Sequence, residues 1–80
     1  MKKKRIGKLQ EMKSELFDEF NANYHSNSRM TTEEMNEVVR RFFPESKHVP
    51  QTVYDCRKEY EETTGRRFVR IYRGVYEVVA

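Results

Sequence analysis

One cysteine stands among the eighty residues, and a single thiol excludes an internal disulfide. The lone Cys56 fits a reducing, cytoplasmic compartment. No apolar run approaches the roughly 20 residues that a membrane span needs. The basic start MKKKRIGK leads into a charged amphipathic stretch rather than the apolar block of a secretion signal, so none is expected. Internal repeats, Pro-rich linkers and low-complexity tracts are missing beyond that basic start. So are a Gly-rich phosphate loop, a nucleophile elbow and a carboxylate pair in an apolar setting. His25, His48 and Cys56 are the only soft metal ligands, and they fall in three segments without zinc-type spacing. The expectation is a non-enzyme with no cofactor and no metal.

What remains is one small domain. Apolar and charged residues each make up 36% of the chain, which suits a globular domain better than a disordered one. The net charge of +3 is modest, but its distribution is uneven. Residues 1–13 hold six Lys/Arg against Glu11 alone, a balance of +5. Residues 14–46 hold three arginines against seven acids, a balance of −4, and residues 47–80 return to +2. Basic ends and an acidic middle predict one charged side rather than a uniform coat.

Helical spacing dominates the first two thirds. Leu9, Met12, Leu16, Phe17, Phe20 and Tyr24 predict a first helix over about 7–24, and the polar turn formers of HSNSR break it. In TTEEM, Thr31 and Glu34 fit a capping box. Met35, Val38, Val39, Phe42 and Phe43 then mark the buried face of a second helix over 32–43, stopped by Pro44. A third helix starts at VPQT, where proline is tolerated, and runs to about Thr63 before Gly65 stops it. At 100° per residue, Val53, Cys56 and Tyr60 share one face of this helix. Gln51, Tyr54, Asp55, Lys58 and Glu62 lie on or toward the opposite one.

The chain closes on GRRFVRIYRGVYEVV, four arginines and one acid in a pattern of two short strands. A lone two-stranded ribbon is barely stable in water, so it must pack on the helices. A two-residue turn at Arg73-Gly74 pairs Tyr72 with Val75, Ile71 with Tyr76, Arg70 with Glu77 and Val69 with Val78. Val69, Ile71, Tyr76 and Val78 then face the helices. Phe68, Arg70, Tyr72, Val75 and Glu77 face outward. Met30, between Arg29 and Thr31, offers a very short third strand along one edge.

Three helices followed by a hairpin, carried by MTTEEMNEVVRRFF and VPQTVYDCRKEYEETTG, resemble the winged helix-turn-helix family of DNA-binding domains. The resemblance spans about Gly7 to Val79. It implies an α+β fold of three helices with a two-stranded antiparallel wing over residues 7–80, preceded by a basic arm over 1–6. It also implies a small phage or bacterial regulator of transcription, or an accessory factor, that reads duplex DNA. Helix three (about 50–63) would enter the major groove, and the hairpin (66–79), with Arg73 at its tip, would lie against the backbone or in the minor groove.

Physical chemistry assigns candidate roles under that reading. Gln51 suits adenine edges, and Arg57 or Lys58 suits guanine or phosphate. Thr52, at the helix start, is a phosphate candidate, and Tyr54 either stacks on the nucleic acid, reaches a phosphate or packs as a partly buried tyrosine. Arg67, Arg70 and Arg73 suit phosphates or a narrow minor groove. The basic arm either adds phosphate contacts or is a solvated tail. Asp55 and Glu62 oppose phosphate on the same surface.

Each role has a structural counterpart. Arg66, Arg67, Arg70 and Arg73 would also guard a sheet edge against pairing with another chain. Glu77 would neutralise Arg70 across the strands, and Arg57 and Lys58 would pair with Glu61 and Glu62 at four-residue spacing. Phe68, Tyr72 and Val75 would form an exposed apolar strip suited to a homodimer or a protein partner. A protein-interaction or inhibitor module on the same scaffold is therefore the second functional expectation.

Overall fold

The computed structural model describes the backbone of residues 3–80 and the side chains of residues 7–80. Met1 and Lys2 of the basic arm lie outside the described residues, as do the side chains of residues 3–6. The elements run α1 (Lys3–Ser26), β1 (Arg29–Thr31), α2 (Thr32–Phe42), α3 (Val49–Thr64), β2 (Arg67–Tyr72) and β3 (Val75–Val79). This is a small α+β domain in which three helices back an antiparallel sheet of order β1-β3-β2.

Local chemistry sets most boundaries. Asn27 ends α1 in the left-handed region at φ 57. Its N–H donates to the Tyr24 carbonyl at 3.3 Å, and the Ser28 N–H reaches back to the Asn23 carbonyl at 3.0 Å. These two bonds form the Schellman closure that satisfies the last free carbonyls of a helix. The capping box of α2 forms as the sequence predicts. The Glu34 N–H donates to Thr31 Oγ1 at 3.1 Å, and the Thr31 N–H donates to Glu34 Oε1 at 2.9 Å. Gly65 stops α3 at φ 78, a conformation that costs glycine nothing.

Met12, Leu16 and Phe20 of α1 meet Met35, Val38 and Val39 of α2 and Val49, Val53, Cys56 and Tyr60 of α3 in one core. Leu9 departs from the expected buried stripe and is exposed, while Phe42 and Phe43 flank the core half-buried. Surface ion pairs such as Lys13–Glu59 (3.1 Å) and Arg41–Glu15 (2.6 Å) tie helices together. Exposed pairs of this kind contribute about 0–1 kcal/mol each, so apolar packing holds the fold.

The sheet corrects the two-stranded wing. Met30 is 2% exposed and anchors β1, whose residues Arg29, Met30 and Thr31 pair with Glu77, Tyr76 and Val75. Thr31 is at once the last residue of β1 and the N-cap of α2, which holds this strand to three residues.

The hairpin register is also corrected. Tyr72 does pair with Val75, but a bulge between Arg70 and Tyr72 shifts everything beyond it. Arg70 lies opposite Tyr76, Val69 opposite Glu77, Phe68 opposite Val78 and Arg67 opposite Val79. The turn explains the bulge. The hairpin turn that best matches strand twist needs positive φ at both central residues. Only Gly74 supplies it, at φ 72, while Arg73 stays out of the left-handed region. An extra residue in one strand absorbs the mismatch and tightens the local twist.

The one-residue shift exchanges the faces of β2. Phe68 turns inward, 4.8 Å from the Phe20 ring and 6.4 Å from Tyr76 between centroids. Val69 and Ile71, expected inside, are exposed. Removing an aromatic ring from a packed site typically costs about 3–5 kcal/mol when it is fully buried. Phe68 is half-buried, so Phe68→Ala should lower the unfolding free energy by about 2–3 kcal/mol in urea denaturation. Val69→Ala should cost under about 1 kcal/mol. The original register requires the reverse ranking.

Candidate nucleic-acid interface

Helix α3 is divided as its spacing predicts. Val49, Val53, Cys56 and Tyr60 are buried, whereas Gln51, Tyr54, Asp55, Lys58 and Glu62 are exposed. The displayed groups are partly engaged with one another. Gln51 Nε2 donates to Asp55 Oδ1 at 3.0 Å. Lys58 Nζ lies 3.9 Å from Glu61, one residue short of the Glu62 partner expected for it. Thr52 is half-buried, and its hydroxyl donates to the His48 carbonyl at 3.0 Å. Tyr54 is 48% exposed and projects beside Arg57, whose guanidinium carbon sits 5.9 Å from the Tyr54 ring centroid.

Arg57 itself does not stand on the displayed face. It is half-buried, with its guanidinium 4.6 Å from the Tyr76 ring centroid and its Nη1 3.7 Å from Met35 Sδ. The Glu61 carboxylate expected to pair with it instead accepts the Phe68 N–H at 2.8 Å. That bond also occupies a backbone donor at the outer edge of β2.

On the hairpin, the bulge decides what each arginine meets. Glu77, expected opposite Arg70, lies opposite Val69 and pairs with Arg29 across β1 at 3.6 Å. Among the described residues, no ion pair includes Arg67, Arg70 or Arg73, and all three are exposed. Arg70 shares the helix-facing side of β2 with Phe68, since the two are separated by one residue of an extended strand. Arg67 alternates to the outer side with Val69. The structure thus brings Gln51, Tyr54 and Lys58 together on α3 and places Arg70 and Arg73 toward the hairpin tip. Thr52 lies on a flank, Arg57 inside, and Arg67 on the other face of the sheet.

Arg66 has a role that sequence spacing does not reveal. Its Nη1 donates to Asn21 Oδ1 and to the Tyr60 hydroxyl, each at 2.8 Å, while Tyr60 OH donates to Asn21 Oδ1 at 2.7 Å. The guanidinium also lies 3.9 Å from the Tyr24 ring centroid. This network joins α1, the end of α3 and the entrance to β2, so Arg66 holds the hairpin root rather than guarding an edge. The expected apolar strip changes as well. Phe68 leaves it for the core and Val75 is half-buried, while Tyr72 is 75% exposed alongside Val69 and Ile71.

Among the described residues, no three His, Cys, Asp or Glu side chains converge on a common point. No described helix is long and apolar enough to cross a membrane. Set against protein-family models, curated proteins and solved structures, the chain matches none.

Burial pushes the Cys56 thiol up from 9.0 to about 11, against the opposing pull of Lys13. Burial favours the neutral thiol in the folded protein, so its contribution is complete below pH 9 and is lost as pH rises toward 11. Native protein at neutral pH should therefore react with a thiol reagent only at its opening rate, with full labelling in urea. Between pH 9 and 11, wild-type stability should fall more steeply than that of Cys56→Ala. Parallel pH curves would show that the thiol is not desolvated.

Proposed function

We propose that this protein is a winged helix-turn-helix DNA-binding domain that reads duplex DNA with α3 and grips the backbone with its hairpin. The element order supports this reading: a short strand between the first two helices, then an amphipathic third helix with one displayed face, then a hairpin. The observation that carries it is the release of the hairpin arginines. The bulged register puts Arg70 opposite Tyr76, and Glu77 pairs with Arg29 on β1, so Arg70 and Arg73 are exposed with no acid partner among the described residues.

Arginines in that condition suit phosphates, where each contact releases a condensed counterion, or a narrow minor groove with its enhanced negative potential. On α3, Gln51, Tyr54 and Lys58 form the reading surface. Asp55 holds Gln51 in the free protein, so reading an adenine edge requires that bond to be exchanged for one to the base. Asp55 and Glu62 meanwhile repel phosphate, which favours discrimination over tight non-specific binding. One short helix supplies limited affinity, so a dimer or paired sites would complete a regulatory or accessory role in a bacterial or phage setting.

The exposed Tyr72, with Val69 and Ile71, supports a second reading, a protein-interaction or inhibitor module that uses the outer hairpin. Fluorescence anisotropy with a short mixed-sequence duplex, from low to moderate salt, separates the two. DNA binding predicts an affinity that falls steeply with salt, and Arg70→Ala and Arg73→Ala should each reduce the log–log slope by about 0.9. No binding at low salt would remove the DNA reading and leave the protein-partner one.

A further inference from the structure

Among the described residues, no carboxylate pairs with Arg57. Its Nη1 lies 3.7 Å from Met35 Sδ on α2, and its guanidinium carbon sits 4.6 Å from the Tyr76 ring centroid on β3 and 5.9 Å from that of Tyr54 on its own helix. Glu61, one turn further along α3, is spent on the Phe68 N–H and Lys58. A half-buried guanidinium held by aromatic faces and a thioether touches three elements at once: α2, α3 and β3.

We infer that Arg57 is a positioning residue. It fixes the angle between α3 and the hairpin and presents the exposed Tyr54 ring, and it does not itself contact DNA. Planarity is the property used. The guanidinium lies over the Tyr76 ring while its Nη1 reaches Met35 Sδ, and a lysine ammonium has neither the plane nor the fork to meet both. Tyr76 is also the residue directly across the strands from Arg70. The ring that Arg57 contacts is therefore paired with Arg70, one of the exposed hairpin arginines, so loss of that contact is transmitted to where Arg70 sits relative to α3. The functional half of this inference rests on the DNA reading, and its structural half does not.

The test uses the isotope-labelled full chain as wild type, Arg57→Lys and Arg57→Gln. Residual dipolar couplings in the free protein report the hairpin's orientation against α3. Anisotropy with the same mixed-sequence duplex at several salt concentrations reports affinity and salt slope. The expected result is altered hairpin couplings in both variants with helix couplings intact. Duplex affinity should fall about fivefold to thirtyfold in Arg57→Gln, the range of a partly desolvated cation–π contact, and by less in Arg57→Lys, which keeps a cation near the ring but not the guanidinium plane, at an unchanged salt slope in both. Arg57→Lys retains the charge, so its failure to rescue fully would mark the planar contact as the function. Wild-type affinity in Arg57→Lys together with a slope lowered by about 0.9 in Arg57→Gln would overturn the inference and make Arg57 a phosphate ligand. Hairpin couplings unchanged in both variants would overturn it too. If wild type does not bind the duplex, the DNA reading fails separately and the couplings alone decide the role of Arg57.

Discussion

The ring of Phe68 stands edge-on to Phe20 with centroids 4.8 Å apart and lies 5.7 Å from Tyr60, and this contact sets the inner face of the sheet. In a strand, the choice of one inward residue determines every other. Phe68 inward sends Val69 outward, opposite Glu77, and puts Arg70 opposite Tyr76. The turn at Arg73-Gly74 demands a different register near the tip, and the bulge between Arg70 and Tyr72 reconciles the two. Burial of the Phe68 ring outweighs the small cost of one unpaired residue in the ladder.

Electrostatic consequences follow from that geometry. Glu77 lies opposite Val69 instead of Arg70 and, on its other side, pairs with Arg29 of the three-residue β1. The exposed hairpin arginines lose the acid that would have neutralised Arg70. Arg66 and Arg57 take the opposite course. One is fixed at the hairpin root by Asn21, Tyr60 and Tyr24, and the other lies over the Tyr76 ring beside Tyr54. Of the five arginines on α3 and in the hairpin, two are structural and three are displayed, with Arg70 and Arg73 nearest the tip. Such a division suits a domain whose hairpin must be rigid at its base and cationic at its end.

The helices were legible in the sequence because their signals are local. Thr31 and Glu34 specify a helix start within four residues, Gly65 a stop, and the spacing of Val53, Cys56 and Tyr60 a buried face. Met30 marked the extra strand for the same reason, as an apolar residue alone between polar ones. The hairpin register was not legible because Phe68, Val69, Ile71 and Tyr72 are apolar on both faces. A strand without alternation does not state which side is in. Arg-Gly also leaves the turn type open. The roles of Arg57 and Arg66 depend on partners distant in sequence, Met35 and Asn21, so the sequence pointed instead to a surface ion pair for Arg57 and an edge guard for Arg66. In the candidate interface, the displayed face of α3 was therefore readable residue by residue, while the choice of free arginines was not.

Register decides which arginines are free, so the most direct measurement is of register itself. Cross-strand nuclear Overhauser contacts in the labelled protein read it without reference to any ligand. The bulged hairpin predicts Arg70 opposite Tyr76, Val69 opposite Glu77, and the Phe68 ring in contact with Phe20 and Tyr60. Contacts placing Arg70 opposite Glu77, with Val69 and Ile71 methyls against Phe20, would contradict the account and return Arg70 to a neutral pair.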